Sequence, residues 1–117
     1  MQTNDPASRF DRLPARDESA ALTSAGGDAE LSTELLHALL SGLPAELDAL
    51  RDSLGESDWP GLAEYAHQMR GATRYCGVPA LDAAIEALER AARVGDPERC
   101  NEGVLQVEIQ AQRLSGI

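Results

Sequence analysis

The sequence contains no lysine: its 10 basic residues are all arginine, set against 20 acidic residues for a net charge of -10. A chain this acidic lacks the positive field that general binding to nucleic acid or anionic membranes requires, so its partners are expected among proteins or small ligands. Apolar residues come in twos and threes, with nothing near the roughly 18 consecutive ones that cross a bilayer. No basic-then-apolar start reads as a secretion signal either. A soluble chain without direct membrane contact is expected. Two cysteines, Cys76 and Cys100, cannot build a disulfide framework, and reduced thiols in the cytoplasm are the expectation. One Trp, one Phe and two Tyr leave the core to Leu, Ala, Val and Ile, a composition that suits close-packed helices better than a β-sandwich. The 117 residues correspond to one domain.

What the chain does have is helical periodicity. Residues 1–15 mix Asn, Asp, Ser, Pro and charge with little bulk, and read as a flexible linker or tail. A short helix is expected over 16–25, burying Ala20, Ala21 and Leu22, before Gly26-Gly27 breaks it and Asp28 caps the next. From 29 to 54, Leu36, Leu39, Leu40, Leu43, Leu47, Leu50 and Leu54 recur at threes and fours and form one buried stripe. Pro44 interrupts that pattern and removes a backbone donor, which predicts a kink near Ser41 or two abutting helices. Asp58 and Pro60 open a helix over 59–76 that stops at Gly77. Pro79 starts another, striped by Leu81, Ala84, Ile85, Leu88 and Ala92 and ended by Gly95. Asp96-Pro97 repeats the opening signature for a last helix carrying Cys100, Val104, Val107, Ala111 and Leu114. The expected fold is all-α: an antiparallel up-and-down four-helix bundle over 16–117, capped at one end by the short first helix, in a monomeric chain.

The helix over 59–76 carries the chemistry. At 100° per residue, Leu62, Tyr65, Met69, Ala72 and Cys76 fall within about 40° of the pole opposite His67. Around His67 lie Ala63, Glu64, Arg70, Gly71 and Arg74. A lone exposed histidine is usually a solvated surface residue, but these neighbours are unusual. Gly71 costs a helix interior about 1 kcal/mol relative to Ala, and an absent side chain beside an exposed imidazole lets another molecule come close. Arg70 and Arg74 put two guanidinium groups next to it, suited to phosphoryl or carboxylate oxygens, although pairing with Glu64 or other surface acids would explain them as well. An imidazole titrating near neutrality is a competent nucleophile. The constellation points to a histidine that carries a phosphoryl group.

The run His67-Gln68-Met69-Arg70-Gly71-Ala72, then Gly77 and Leu81-Asp82-Ala83-Ala84-Ile85-Glu86-Ala87-Leu88-Glu89, resembles the histidine-containing phosphotransfer (HPt) domain. That family's pattern is His, any residue, Leu, Lys or Arg, Gly, Ser or Ala, then Leu-Gly and a Leu-rich helix ending in Leu-Glu. Met69 replaces its first Leu and Cys76 the Leu before the glycine. The stretch from Arg70 to Pro79 looks most like the C-terminal HPt modules of BarA/GacS-type hybrid sensor kinases. The resemblance implies a phosphorelay intermediate, in which His67 takes a phosphoryl group through Nε2 from a receiver-domain aspartate and passes it to the aspartate of a response regulator. It implies that Arg70 stabilises the phosphoryl oxygens, whereas Ala63, Glu64, Gly71 and Arg74 are expected at the partner contact from the helical wheel. It also implies that the chain needs no cofactor of its own, that Mg²⁺ belongs to the receiver, and that the chain is a phosphohistidine carrier rather than an autonomous kinase. Residues 1–15 would then follow a receiver domain if the chain is a module of an inner-membrane-anchored kinase; a free-standing module with a tail is equally compatible.

Two alternatives compete. Glu-x-x-His occurs twice, as Glu34-Leu35-Leu36-His37 and Glu64-Tyr65-Ala66-His67, the spacing of di-iron carboxylate bundles. Such motifs project inward, whereas both pairs here face away from their apolar stripes. His37 reads as a solvated surface residue, and Cys76 and Cys100 as small hydrophobes. The other alternative is an acidic helical interaction module that docks a partner without chemistry.

Overall fold

The computed structural model describes residues 6–116. It is helical: α1 (Pro6–Asp11), α2 (Glu18–Ser24), α3 (Ala29–Gly55), α4 (Trp59–Thr73), α5 (Pro79–Val94) and α6 (Pro97–Ser115), with no strand among the described residues. Four of these helices begin on an aspartate whose side chain accepts from amides of the first turn. Asp17 takes Ala20 N at 3.0 Å, Asp28 takes Glu30 N and Leu31 N at 3.0 and 3.1 Å, Asp58 takes Gly61 N at 2.9 Å, and Asp96 takes Arg99 N at 3.2 Å. Each satisfies donors that have no intrahelical acceptor. Gly95, with φ of 77°, ends α5 in the left-handed conformation that a side chain disfavours.

Helix α4 packs on α3 and on α5, α5 packs on α6, and α6 returns to α3, so the four long helices close a ring around one core. Leu50, Leu62, Ala66, Leu81, Ile85, Leu88, Cys100 and Val107 are completely or almost completely buried there. The closest approach is at Gly103, where a Cβ would stand 2.9 Å from Leu88 Cδ1 and 3.3 Å from Leu88 Cα. A side chain at that position would hold α5 and α6 apart.

Three expectations need correction. The first concerns residues 1–15. Residues 1–5 lie outside the described set, but the rest is not a flexible tail: α1 rests on α5 and α6, and Phe10 is 4% exposed within the core. Polar contacts fix the segment. Gln110 Nε2 donates to Asp11 at 2.9 Å, Ala80 N to the Pro14 carbonyl at 3.2 Å, and Asp17 N to the Gly77 carbonyl at 2.8 Å. One aromatic ring and a few backbone bonds order a stretch whose composition alone reads as disordered. In α2, next, Ala21 is buried but Ala20 and Leu22 are exposed, because this short helix touches the bundle along one narrow line near Gly77 and α3. Finally, α3 runs through Pro44 as one helix, which removes the alternative of two abutting helices. Pro44 is exposed, so the Leu40 carbonyl that loses its donor lies toward the solvent side of a helix held by its buried leucines.

Candidate functional site

His67 sits in the middle of α4 with 60% of its side chain exposed, and its Nδ1 lies 3.1 Å from Glu89 Oε2 on α5. Glu89 is itself only 12% exposed and accepts two further bonds on the same oxygen, from Arg93 Nε at 3.1 Å and Arg93 Nη2 at 2.6 Å. Burial pushes the Glu89 carboxyl up, but the hydrogen bonds and charges of Arg93 and His67 outweigh it and hold the group below the ordinary carboxylate range. Glu89 is therefore ionised at neutral pH and can only accept. The hydrogen on the neutral ring must then lie on Nδ1, which leaves the Nε2 lone pair bare.

One turn further along α4 is Gly71. It is exposed, and a Cβ built there would meet nothing within 4 Å. The glycine is not needed for packing, so the helix carries its propensity cost on a face left open to approach. Glu64, one turn before His67, is exposed and accepts from Gln68 Nε2 at 3.2 Å. Arg74, exposed at the end of α4, forms no ion pair among the described residues.

Arg70 and Ala63 differ from their expected placement. Arg70 is 19% exposed at its side chain and turned toward α5, with Nε and Nη2 3.4 and 3.5 Å from the Asp82 carboxylate and Nη1 3.7 Å from Glu86. Asp82 also accepts from the Thr73 hydroxyl at 2.7 Å. Burial pulls the Arg70 guanidinium down, and the Asp82 bond with the Asp82, Glu86 and Glu89 charges more than restores it. At rest this cation ties α4 to α5 rather than standing free beside His67. Ala63 is 4% exposed and belongs to the core, so it presents no docking surface. The helical wheel misplaced it by taking Tyr65 and Ala72 as buried. Tyr65 is 43% exposed and Ala72 is also exposed, and the buried face runs through Leu62, Ala63, Ala66, Met69 and Thr73. Apolarity cannot tell an alanine in the seam with α5 from one facing water.

Sequence reasoning missed Glu89 and Arg93 as parts of the site. Glu89 ends the Leu-Glu of the HPt pattern and Arg93 follows at helical spacing, but their relation to His67 exists only across the α4–α5 seam. The remaining candidates stay apart from it. Glu34 and His37 are exposed on α3, and no group of three or more His, Cys, Asp or Glu is placed to hold a metal ion among the described residues. Cys76 and Cys100 are buried, and burial pushes both thiols up, Cys76 against the lowering charge of Arg16 and Cys100 together with Asp96. Neither has the character of a reactive thiolate.

An exposed imidazole with one nitrogen committed and the other bare has the arrangement of a competent nucleophile. The family model of the Hpt domain matches residues 34–116, which include His67 and Glu89. The sensor histidine kinase GacS of Pseudomonas protegens is 39% identical over 77 residues, covering 66% of this chain and 8% of that protein. The sensor protein GacS of Pseudomonas syringae pathovar syringae is 33% identical over 105 residues, covering 85% of this chain and 12% of that protein. No solved structure matches. The chain thus corresponds to a small part of each of these proteins, and the family match falls on the helices that build the His67 site: it belongs to the Hpt domain family.

Proposed function

We propose that the chain is a phosphorelay intermediate in two-component signalling, and that His67 is its phosphoacceptor. The observation that carries this reading is the fixed imidazole: Nδ1 is held by Glu89 at 3.1 Å on a ring that is 60% exposed, one turn before the open position at Gly71. In the proposed reaction Nε2 attacks the phosphorus of an aspartyl phosphate on a receiver domain. The P–Nε2 bond forms as the P–O bond to the aspartate breaks, and the carboxylate leaves with its electron pair. Passing the group to a response-regulator aspartate reverses these steps. Mg²⁺ and the acidic residues that hold it belong to the receiver in this proposal, and the chain contributes a positioned nucleophile, in keeping with phosphoryl transfer being governed by positioning and charge.

Arg70 occupies the Lys or Arg position of the family pattern. Its proposed part in transfer requires the guanidinium edge near Glu86, the longer of its contacts at 3.7 Å, to turn to the incoming phosphoryl. Arg74 is the second cation of that face, and Glu64 and Gly71 complete the proposed contact. Supporting the site is an antiparallel up-and-down arrangement of α3 to α6, inferred from the short turns between helices that pack as neighbours. We place the chain, as a monomer, on the cytoplasmic side as the C-terminal module of a membrane-anchored sensor kinase, by its likeness to the GacS proteins. None of its described helices is long and apolar enough to cross a membrane.

Incubation with a phosphorylated receiver domain and Mg²⁺ tests the reading. Acid-labile, base-stable phosphate is expected on the parent and on His37→Gln, and none on His67→Gln. Equal labelling of His67→Gln would move the acceptor elsewhere. No label on a folded parent would leave the acidic docking module as the better account.

A further inference from the structure

This inference rests on the phosphorelay reading and concerns the His67 ring once it is loaded. When an imidazole with its hydrogen on Nδ1 attacks through Nε2, the P–N bond forms and the donor P–O bond breaks without any proton leaving the ring. The product is a phosphoimidazolium, positively charged and still protonated at Nδ1. Discharge breaks the P–N bond and returns its electron pair to Nε2. From the protonated ring the leaving group is a neutral imidazole. From a ring that has lost the Nδ1 proton it would be an imidazolate, a far poorer leaving group. The proton on Nδ1 therefore decides whether a loaded histidine can pass its phosphoryl group on.

Among the described residues, the group in contact with Nδ1 is the Glu89 carboxylate, 3.1 Å away and largely buried under the Arg93 guanidinium. The other charges facing this region are directed elsewhere. On α4, Arg70 is turned to Asp82 and Glu86, Glu64 accepts from Gln68, and Arg74 is exposed a little under two turns further on. On α5, Arg90 pairs with Glu86 at 3.5 Å. From α3, which packs against α4, no charged group contacts the ring.

We propose that Glu89, tethered by Arg93, keeps Nδ1 of phosphorylated His67 protonated through neutral pH, so that the chain carries its phosphoryl group in the dischargeable imidazolium form. A neutral acceptor in the same place would orient the ring equally well but would not stabilise its positive charge. An opposite charge within about 4–6 Å favours the charged form of a titrating group. Glu89 is thus a positioning residue whose charge, beyond its hydrogen bond, sets how easily the carrier unloads.

The test loads the parent, Glu89→Gln, Arg93→Ala and Arg93→Lys with phosphoramidate, and follows loss of the phosphoryl group by ³¹P NMR between about pH 5 and pH 9. In the parent, discharge slows as pH rises through the point where Nδ1 loses its proton. Removing the carboxylate charge lowers that midpoint, so Glu89→Gln is expected to match the parent at the acid end, to fall off about one unit earlier, and to discharge about tenfold more slowly beyond it. Arg93→Ala, changed at a side chain 58% exposed, is expected to lie between them, and Arg93→Lys to return toward the parent. A midpoint shared by the parent, Glu89→Gln and Arg93→Ala overturns the inference. Label taken from a phosphorylated receiver domain by His67→Gln, run beside the parent, overturns the phosphorelay reading instead.

Discussion

Glu89 accepts three hydrogen bonds on one oxygen, from a ring on a neighbouring helix and a guanidinium on its own. That makes the imidazole orientation a property of two helices rather than of one side chain's rotamer. Arg70 also makes contacts that span the α4–α5 seam, through longer bonds to Asp82 and Glu86. Replacing Arg70 with Ala leaves Asp82 with the Thr73 hydroxyl and removes its cation. The expected loss is about 1 kcal/mol of unfolding free energy, read as a lower urea midpoint with an unchanged slope. Slower phosphoryl acceptance is expected as well, because a cation near the transferring group is lost. Unchanged stability would mean that solvent screens the Asp82 contact, as it does at an exposed helix position.

At the scale of an element, glycines inside two helices should respond to the same substitution with opposite sign. Gly71 faces open space on α4, and Gly103 on α6 stands against Leu88. Gly71→Ala gains helix propensity and meets nothing, so it is expected to stabilise by up to about 1 kcal/mol. Gly71→Gln should keep most of that gain yet accept phosphoryl poorly from a receiver, because its side chain fills the approach to Nε2. Gly103→Ala gains the same propensity, but its methyl meets Leu88, including the Leu88 Cα at 3.3 Å, and a net loss of about 1–2 kcal/mol is expected. Thermal melts of the three variants decide the signs. A Gly71→Gln that melts well below the parent would show that this face of α4 packs against something, and a stable variant with normal transfer would show that the receiver does not dock over it.

At the scale of the molecule, the ring of α3 to α6 is extended by α1, which adds the Phe10 side chain to the core and covers part of the α5–α6 surface. Phe10→Ala should cost about 2–3 kcal/mol, at or below the low end for a buried phenylalanine, because a short terminal helix can detach instead of leaving a cavity. Amide exchange should then quicken first over residues 9–17 and along α6 near Gln110 and Arg113, whose side chains bond to Asp11 and to the Phe10 carbonyl. A midpoint equal to the parent's would mean that α1 contributes no stability, and that the tail reading of residues 1–15 describes its behaviour in solution.

Local interactions made much of this protein readable from its sequence. Aspartate caps, glycine stops and a 3.6-residue apolar rhythm act within one or two turns, so the four long helices, most of the leucine core and the exposed His67 beside Gly71 could be read residue by residue. Partners distant in sequence had no such signature. Glu89 reaches His67 across 22 residues, and only the packing of α5 on α4 sets that separation. The same packing turned Arg70 toward Asp82, buried Ala63 and left Tyr65 exposed, because a helix's buried face is fixed by where its neighbours lie as well as by its own apolar residues. Phe10 was the clearest case: its surroundings in the chain read as a tail, and the surface that orders it is built from helices more than 60 residues further on. The sequence alone singled out His67 as the proposed phosphoacceptor; the tertiary structure decided which of its nitrogens is held, because that depends on a carboxylate from another helix.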